Sequence, residues 1–360
     1  MSAGPQRMPA PGAPSAAPLS PSPFPARVPW IAVSAFLVIA FGLAWLITLP
    51  LWLSGNGLAT PGAVLYIVGM MYTPAAAALV VSFFVQRPRP RPLAEYLGLW
   101  PLRPVMRVVG MTLIGLFGSI LLVIVGVFVS AAFGLVHLDL AHFSGFERTL
   151  ETAALGTRLP IAVGLLVLIQ LVAVPFGSLV NAFATIGEEL GWRGWLLPSL
   201  RPLGTWPSLL ITGVVWGLWH SPIILLGYDF ARPDLLGVLL MVGGCLFLGI
   251  LIGWLRLRSG SIWPSVFAHA AFNAASGTLA LLVAADAKPD PAVVGPLGLV
   301  AWAVMAVVIV VLAVAGQFRT QPRLARRAGT QPRLDPMGMQ TPVPPGQQRD
   351  GDAAGHDRDG

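Results

Sequence analysis

The sequence has few charged residues, a single lysine and a single cysteine. Charged residues make up 10% of the 360 residues, whereas hydrophobic residues make up 56%. Soluble globular domains carry about 25% charged residues, so this composition excludes that class and predicts an integral membrane protein. Cys245 stands alone, which excludes an intrachain disulfide. The net charge of +7 does not indicate nucleic-acid binding, because the arginines that produce it lie in short loops and tails.

Long apolar runs predict the membrane spans. A transmembrane helix needs about 20 apolar residues, and the sequence contains about eight runs that meet this requirement. They cover approximately residues 30–53, 62–85, 105–134, 161–200, 206–226, 235–255, 261–284 and 296–316. The run from 161 to 200 is too long for one upright span, and Pro175 and Gly177 favour a tilted or broken helix there. The predicted fold is an all-α polytopic membrane protein.

Two tails flank the predicted transmembrane domain at 29–317. Residues 1–28 are rich in proline, alanine and serine, and residues 318–360 are polar and rich in proline and glycine. Such compositions cannot build an apolar core, so both tails are predicted to be disordered. The first apolar run is longer than the apolar region of a signal peptide and is predicted to be retained.

The arginines predict the orientation of the chain. If the N-terminus is cytoplasmic, the inner segments contain Arg7, Arg27, Arg87, Arg89, Arg91, Arg103, Arg107, Arg201, Arg256, Arg258, Arg319, Arg323, Arg326 and Arg327. The outer loops then contain only Arg148, Arg158, Arg232 and Lys288. Because positive residues accumulate on the cytoplasmic side, both termini are predicted to be cytoplasmic and the loop 137–158 to lie outside. The protein is expected in the plasma membrane, and its arginine-rich, lysine-poor usage suggests a bacterial source.

Two glutamates and an arginine interrupt the fourth apolar run. Within residues 187–198, Glu189 and Arg193 are four residues apart, so on a helix they share a face and can form an ion pair. Glu188 is rotated by about 100° and need not compete for that arginine. Charged groups at membrane depth are costly and usually serve a function in the protein interior. This layout predicts that Glu188 performs chemistry while Glu189 and Arg193 support it.

Polar residues in two later runs can approach this glutamate pair. His220 lies about 15 residues after the turn at 201–205, and Glu188 lies about 12 residues before it. These positions predict similar depths in the cytoplasmic half of the membrane, since a helix rises 1.5 Å per residue. His269 and Asn273 are four residues apart and share a helix face. The predicted site therefore lies between helices and contains Glu188, His220, His269 and Asn273.

Simpler interpretations exist for each polar residue taken alone. A histidine or asparagine in a span can serve only as a hydrogen-bonding group between helices. Two adjacent glutamates can form a proton or cation relay in a transporter. Four tryptophans are interpreted as packing or interfacial residues, namely Trp192, Trp195, Trp216 and Trp219. Solvated loop positions are expected for His137, His142, Asp229, Asp234, Asp286 and Asp290.

The order and spacing of these motifs resemble a known family. The motifs are Glu188-Glu189-x-x-x-Arg193, Trp216-x-x-x-His220 and His269-x-x-x-Asn273. They are similar to those of the CPBP family of intramembrane proteases, which includes CAAX-prenyl-protease-like, bacteriocin-processing and abortive-infection proteins. The resemblance covers about residues 180–280 and implies a family core at about 160–284. One departure is Trp216, which occupies a position where the family usually has phenylalanine.

The resemblance implies an endopeptidase that acts on a membrane-associated protein or peptide within the lipid bilayer. Glu188 and His220 would activate a water molecule, and His269 with Asn273 would stabilise the oxyanion. Glu189 and Arg193 match the supporting positions. The resemblance leaves a metalloendopeptidase possible, with zinc bound by Glu188, His220 and His269.

A metal-free site is favoured over a zinc site. The sequence has no His-Glu-x-x-His motif, and the two membrane histidines are far apart in the chain. A zinc site would also consume the proposed base and half of the proposed oxyanion hole, whereas a metal-free site gives every residue a role. Two other functions remain open, because some family members act as immunity or scaffold proteins and a transporter is a further class.

Overall fold

The computed structural model describes residues 25–86, 92–153 and 161–319. The predictions of disorder for residues 1–24 and 320–360 lie outside this part, as do the predicted positions of Arg87, Arg89, Arg91 and Arg158. Within the described residues the secondary structure is helical, with one isolated β-bridge between Leu138 and Val283 and no strand. The predicted all-α fold is confirmed.

Fifteen α-helices, some of them a single turn, follow one another in the described residues. They are α1 (Trp30–Leu53), α2 (Ala63–Met71), α3 (Thr73–Val80), α4 (Leu93–Tyr96), α5 (Val105–Ala132), α6 (Ser144–Ala153), α7 (Val163–Glu189), α8 (Leu197–Leu200), α9 (Thr205–Trp219), α10 (Ser221–Ile224), α11 (Leu235–Ser259), α12 (Trp263–Ala275), α13 (Thr278–Leu282), α14 (Pro291–Val294) and α15 (Leu299–Val314). Short 3₁₀ or π segments join several of them.

Seven helical segments in the described residues are long and apolar enough to cross a membrane. They are Trp30–Leu53, Ala63–Val85, Val105–Ala132, Val163–Leu203, Leu235–Ser259, Trp263–Leu282 and Pro291–Val314. The eighth predicted run, 206–226, instead forms α9 followed by the single turn α10, because Pro222 lacks the amide hydrogen that a continuous helix requires. The polytopic membrane architecture is therefore confirmed, with seven candidate spans in the described residues where about eight were predicted.

The long fourth run changes its helical geometry immediately after the two glutamates. The α-helix α7 ends at Glu189, and residues Leu190–Leu196 form a π-helical segment that leads into α8. Pro175 lies inside α7 without ending it, so the predicted break occurs later in the run. Short π segments are rare in proteins overall, and those that do occur are often found at functional sites.

Glycine residues allow this segment to pack closely against the second span. A Cβ atom added to Gly191 would lie 2.3 Å from the Cβ of Pro74, and one added to Gly187 would lie 2.7 Å from the carbonyl oxygen of Met71. Larger residues would push the two segments apart, because such distances are shorter than any van der Waals contact. The glycines on either side of Glu188 and Glu189 therefore hold these carboxylates against the start of α3.

Contacts between α9 and α11 and between α7 and α12 bring His220 and His269 toward the glutamates. Gly213 and Gly217 lie on the face of α9 that contacts α11, where a Cβ on Gly217 would be 2.4 Å from the Cα of Val242. Small residues four apart allow membrane helices to approach closely. On the other side, the Thr185 hydroxyl of α7 donates a hydrogen bond to the carbonyl oxygen of Val266 in α12 at 3.2 Å. The helices that carry the candidate residues are thus neighbours.

Candidate active site

The predicted ion pair between Glu189 and Arg193 is present at the centre of the fold. Nη1 of Arg193 donates to Oε1 of Glu189 at 2.8 Å, and the two side chains are 1% and 0% exposed. The guanidinium carbon of Arg193 also lies 4.2 Å from the centre of the Trp216 ring, in a cation–π contact. Both charged residues are therefore held away from water by one another and by an aromatic face.

Glu189 also binds the side chain of His269. Nδ1 of His269 lies 3.0 Å from the same carboxylate oxygen that accepts from Arg193. Because a carboxylate accepts and does not donate, Nδ1 carries the hydrogen of this bond. The second ring nitrogen, Nε2, is then the atom left for a ligand or substrate. Glu189 thus fixes the orientation of His269 across a separation of 80 residues in the chain.

The other glutamate has a different partner. Oε2 of Glu188 accepts a hydrogen bond of 2.7 Å from Nε1 of the Trp216 indole, and Glu188 is 2% exposed. Hydrogen bonds to an ionised group are shorter and stronger than those between neutral groups. The indole therefore holds one oxygen of the carboxylate and leaves the second, Oε1, for chemistry.

His220 is oriented by the backbone of its own helix. It directly follows the last residue of α9, and its Nδ1 lies 2.9 Å from the carbonyl oxygen of Trp216. A carbonyl oxygen only accepts, so Nδ1 carries the hydrogen and the neutral ring presents an unprotonated Nε2. Cys245, the single cysteine, is buried, with Sγ 3.9 Å from the same ring nitrogen.

Trp216 is a central residue that the sequence interpretation missed. Besides its bond to Glu188 and its contact with Arg193, its ring centre lies 5.1 Å from that of His269 and 5.9 Å from that of His220. Its interpretation as a packing residue was incomplete, because the indole nitrogen positions a site carboxylate. Its place four residues before His220 in the motif was the available signal.

A cavity of about 400 Å³ borders all four predicted site residues. Glu188, His220, His269 and Asn273 lie in its wall, together with apolar side chains of α2 and of the segment between α14 and α15. Asn273 is exposed, whereas His269, one turn earlier on α12, is buried. The structure therefore brings together the residues that were predicted from three separate runs.

The helix bounds give the distances of the site residues from the neighbouring turns. His220 follows the 15 residues of α9, so it lies about 22 Å along the helix from the turn at 201–204. His269 lies in the first half of the span Trp263–Leu282, closer to the turn that precedes this span. The location of the site in the cytoplasmic half of the membrane stays a prediction.

The zinc alternative stays a prediction. Among the described residues, no group of three or more histidine, cysteine, aspartate or glutamate side chains is arranged to hold a metal ion. Trp216 engages one oxygen of Glu188, and the other oxygen has no partner from the indole. No chemical step is assigned to a metal.

One loop carboxylate expected in solvent borders the cavity. Asp229 lies between α10 and α11 and contributes to the cavity wall with Tyr228. Its side chain remains accessible to solvent, yet surrounding protein atoms raise the pKa of Asp229 to about 7 by desolvation. By contrast, backbone amides that include that of His142 lower the pKa of Asp139 in an outer loop.

Comparison with known families agrees with the motifs. Residues 169–275 match the family model described as type II CAAX prenyl endopeptidase, Rce1-like. The chain carries an Rce1-like segment. This segment extends from the first third of α7 to the end of α12 and includes Glu188, His220, His269 and Asn273.

The match confirms the family resemblance, and it covers residues 169–275. It points to a protease embedded in a lipid bilayer with a protein substrate, and the Rce1-like segment carries this assignment. No curated protein matches the chain significantly.

Proposed function

We propose that the protein is an intramembrane endopeptidase that hydrolyses a peptide bond of a membrane-associated protein or peptide. The observation that carries this proposal is the hydrogen bond from Trp216 to Glu188 at the wall of a cavity. It leaves Oε1 of a buried carboxylate beside two imidazoles whose Nδ1 atoms are already engaged. A carboxylate and an imidazole that share a water molecule form a general-base system.

Glu188 is assigned the role of general base. Its Oε1 accepts a proton from water while the water oxygen attacks the carbonyl carbon of the substrate. Nε2 of His220 accepts a hydrogen bond from the second hydrogen of that water and orients it. When the carbon–nitrogen bond breaks, Glu188 returns its proton to the leaving amine, so that the products are an acid and an amine.

His269 and Asn273 are assigned to the oxyanion. In its doubly protonated form, His269 donates from Nε2 while Nδ1 remains paired with Glu189. The side-chain amide of Asn273 is the second donor, since both residues lie on one face of α12 and border the cavity. Two fixed donors stabilise the negative charge that develops on the carbonyl oxygen. Arg193 balances the charge of Glu189 through their ion pair.

The proposal includes a metal-free mechanism and a bacterial plasma membrane with both termini in the cytoplasm. The role that a metal-free site gives to each of Glu188, His220, His269 and Asn273 supports the first, and the bias of arginines between alternate loops supports the second. Chelation followed by assay tests the metal-free mechanism. Activity that vanishes on chelation and returns with one equivalent of zinc would overturn it.

The central test is cleavage of a membrane-anchored reporter peptide by purified variants. Glu188→Gln should lower kcat by about 10²- to 10⁴-fold, because the amide cannot accept the proton. Glu147→Gln is the matched control, since Glu147 lies on α6 outside the cavity, and it should leave activity unchanged. Full activity of Glu188→Gln would refute the protease assignment and leave a scaffold or immunity role, whereas coupled ion uptake would indicate a transporter.

A further inference from the structure

The ends of the helices define two opposite faces of the protein. One face, here called the turn face, carries Arg27 before α1, the 201–204 turn between α8 and α9, the 260–262 turn between α11 and α12, and Arg319 after α15. The opposite face, here called the loop face, carries the loops that follow α1, α5, α10 and α13. Alternation of the helices places these loops together, because each helix leads from one face to the other.

The cavity belongs to the loop face. Its wall is formed by α2, the second half of α7, the end of α9 with α10, the first half of α11, the end of α12, and the loop residues Tyr228, Asp229 and Phe230. Pro291, at the start of α14, completes this rim. No residue of the 201–204 or 260–262 turns contributes to it. The candidate active site therefore lies at the bottom of a cavity that extends toward the loop face.

Buried structure closes the route to the turn face. Residues 191–200 are all buried, and they lie between the site and the 201–204 turn. Beside them the buried guanidinium of Arg256 donates from Nε to the carbonyl oxygen of Arg193 and from Nη2 to that of Tyr96, each at 3.1 Å. The Ser261 hydroxyl donates to the carbonyl oxygen of Gly98 at 3.1 Å, so the segment after α4 covers this side.

The two faces also differ in charge. In the described residues the turn face carries Arg27, Arg103, Arg107, Arg201, Arg258 and Arg319 together with one acidic residue, Glu95. The loop face carries Arg148, Arg232 and Lys288 together with Asp139, Glu147, Glu151, Asp229, Asp234, Asp286 and Asp290. Arg232 is also neutralised by Asp290 through an ion pair of 2.7 Å. Because short cytoplasmic loops of membrane proteins are enriched in positive residues, the turn face is the cytoplasmic one.

From these observations we propose that the catalytic cavity opens to the non-cytoplasmic side of the membrane. The inference rests on the proposed protease function and specifies its substrate class: a membrane-anchored polypeptide that presents its scissile bond from the non-cytoplasmic side. Val64 and Val68, exposed side chains of α2, form the edge of the same cavity and suit the apolar flank of such a segment. A lipid-modified chain end held at the cytoplasmic leaflet cannot reach Glu188 by this route.

Thiol labelling tests the direction of the opening without requiring proteolysis. In a Cys245→Ser background, a cysteine is introduced by Ser276→Cys in the cavity wall. The reference variant for the loop face is His142→Cys, because the side chain of His142 is 84% exposed. The reference variant for the turn face is Leu203→Cys, because Leu203 is 37% exposed. Intact spheroplasts are treated with a membrane-impermeant maleimide, and the labelling is compared with that of permeabilised and of denatured samples.

We expect Ser276→Cys and His142→Cys to be labelled in intact spheroplasts, and Leu203→Cys only after permeabilisation. Labelling of Ser276→Cys only after permeabilisation would overturn the proposal. The proposal would also be overturned if both Ser276→Cys and His142→Cys were labelled only after permeabilisation. Asp229→Cys provides a second cavity position if Ser276→Cys folds poorly. Absence of labelling at both cavity positions in native protein, with labelling after denaturation, would also overturn it. Failure of the protease assignment would appear separately, in the cleavage assay of Glu188→Gln.

Discussion

Replacement of Trp216 by phenylalanine separates the hydrogen bond to Glu188 from the packing of the aromatic ring. The indole nitrogen donates to Oε2 of Glu188 at 2.7 Å, while its ring packs against Arg193 and both histidines. Phenylalanine keeps an aromatic face for the cation and removes only the donor. Because the resemblance leads one to expect phenylalanine at this position, the smaller ring should be accommodated by the fold.

The expected loss follows from the strength of that bond. A hydrogen bond to a charged group contributes about 1.5–3 kcal/mol, and each 1.36 kcal/mol of barrier changes a rate by a factor of ten. If the bond holds Glu188 in its reactive orientation, Trp216→Phe should lower kcat by about 10- to 150-fold with a smaller change in KM. The acid limb of the pH–activity profile should move to higher pH, because the ionised carboxylate loses a donor that stabilises it.

The assay compares kcat, KM and the pH profile for cleavage of the membrane-anchored peptide. Trp192→Phe is the matched control, because Trp192 is fully buried, lies outside the cavity wall, and has an Nε1 without a hydrogen-bond acceptor among the described residues. Trp192→Phe should at most change the folded yield, and the acid limb of its pH–activity profile should stay at the wild-type pH. A wild-type pH profile and kcat for folded Trp216→Phe would refute the positioning role.

Two further substitutions test the structure that supports the site. Arg193→Ala should lower the folded yield and the thermal midpoint in detergent, because removal of one partner of a buried pair costs about 3–5 kcal/mol. Glu188→Gln should keep a wild-type yield, and equal yields for both variants would argue against the importance of the pair. Gly191→Ala should also reduce the folded yield, since its Cβ would lie 2.3 Å from the Cβ of Pro74. Gly118→Ala, with no atom within 4 Å of the added Cβ, is the control, and equal behaviour of the two alanine variants would contradict the packing argument.

Features that depend on local sequence could be predicted without the structure. Composition determined the membrane class, since a chain with 10% charged residues cannot cover a soluble surface. Apolar runs located the spans, and helical periodicity placed Arg193 within reach of Glu189. The motifs around Glu188, His220 and His269 also indicated the protease resemblance, which the match over residues 169–275 confirms.

The tertiary structure decided which residues of different helices meet. Glu189 pairs with His269 across 80 residues, and Glu188 pairs with Trp216 across 28 residues. It also decided that α9 ends at Trp219 and that the cavity extends away from the 201–204 turn. Periodicity shows which side chains share one face of a helix, but not how that helix is rotated against its neighbours. That rotation depends on close contacts such as those of Gly191 with Pro74 and Gly217 with Val242, which involve residues distant in the chain.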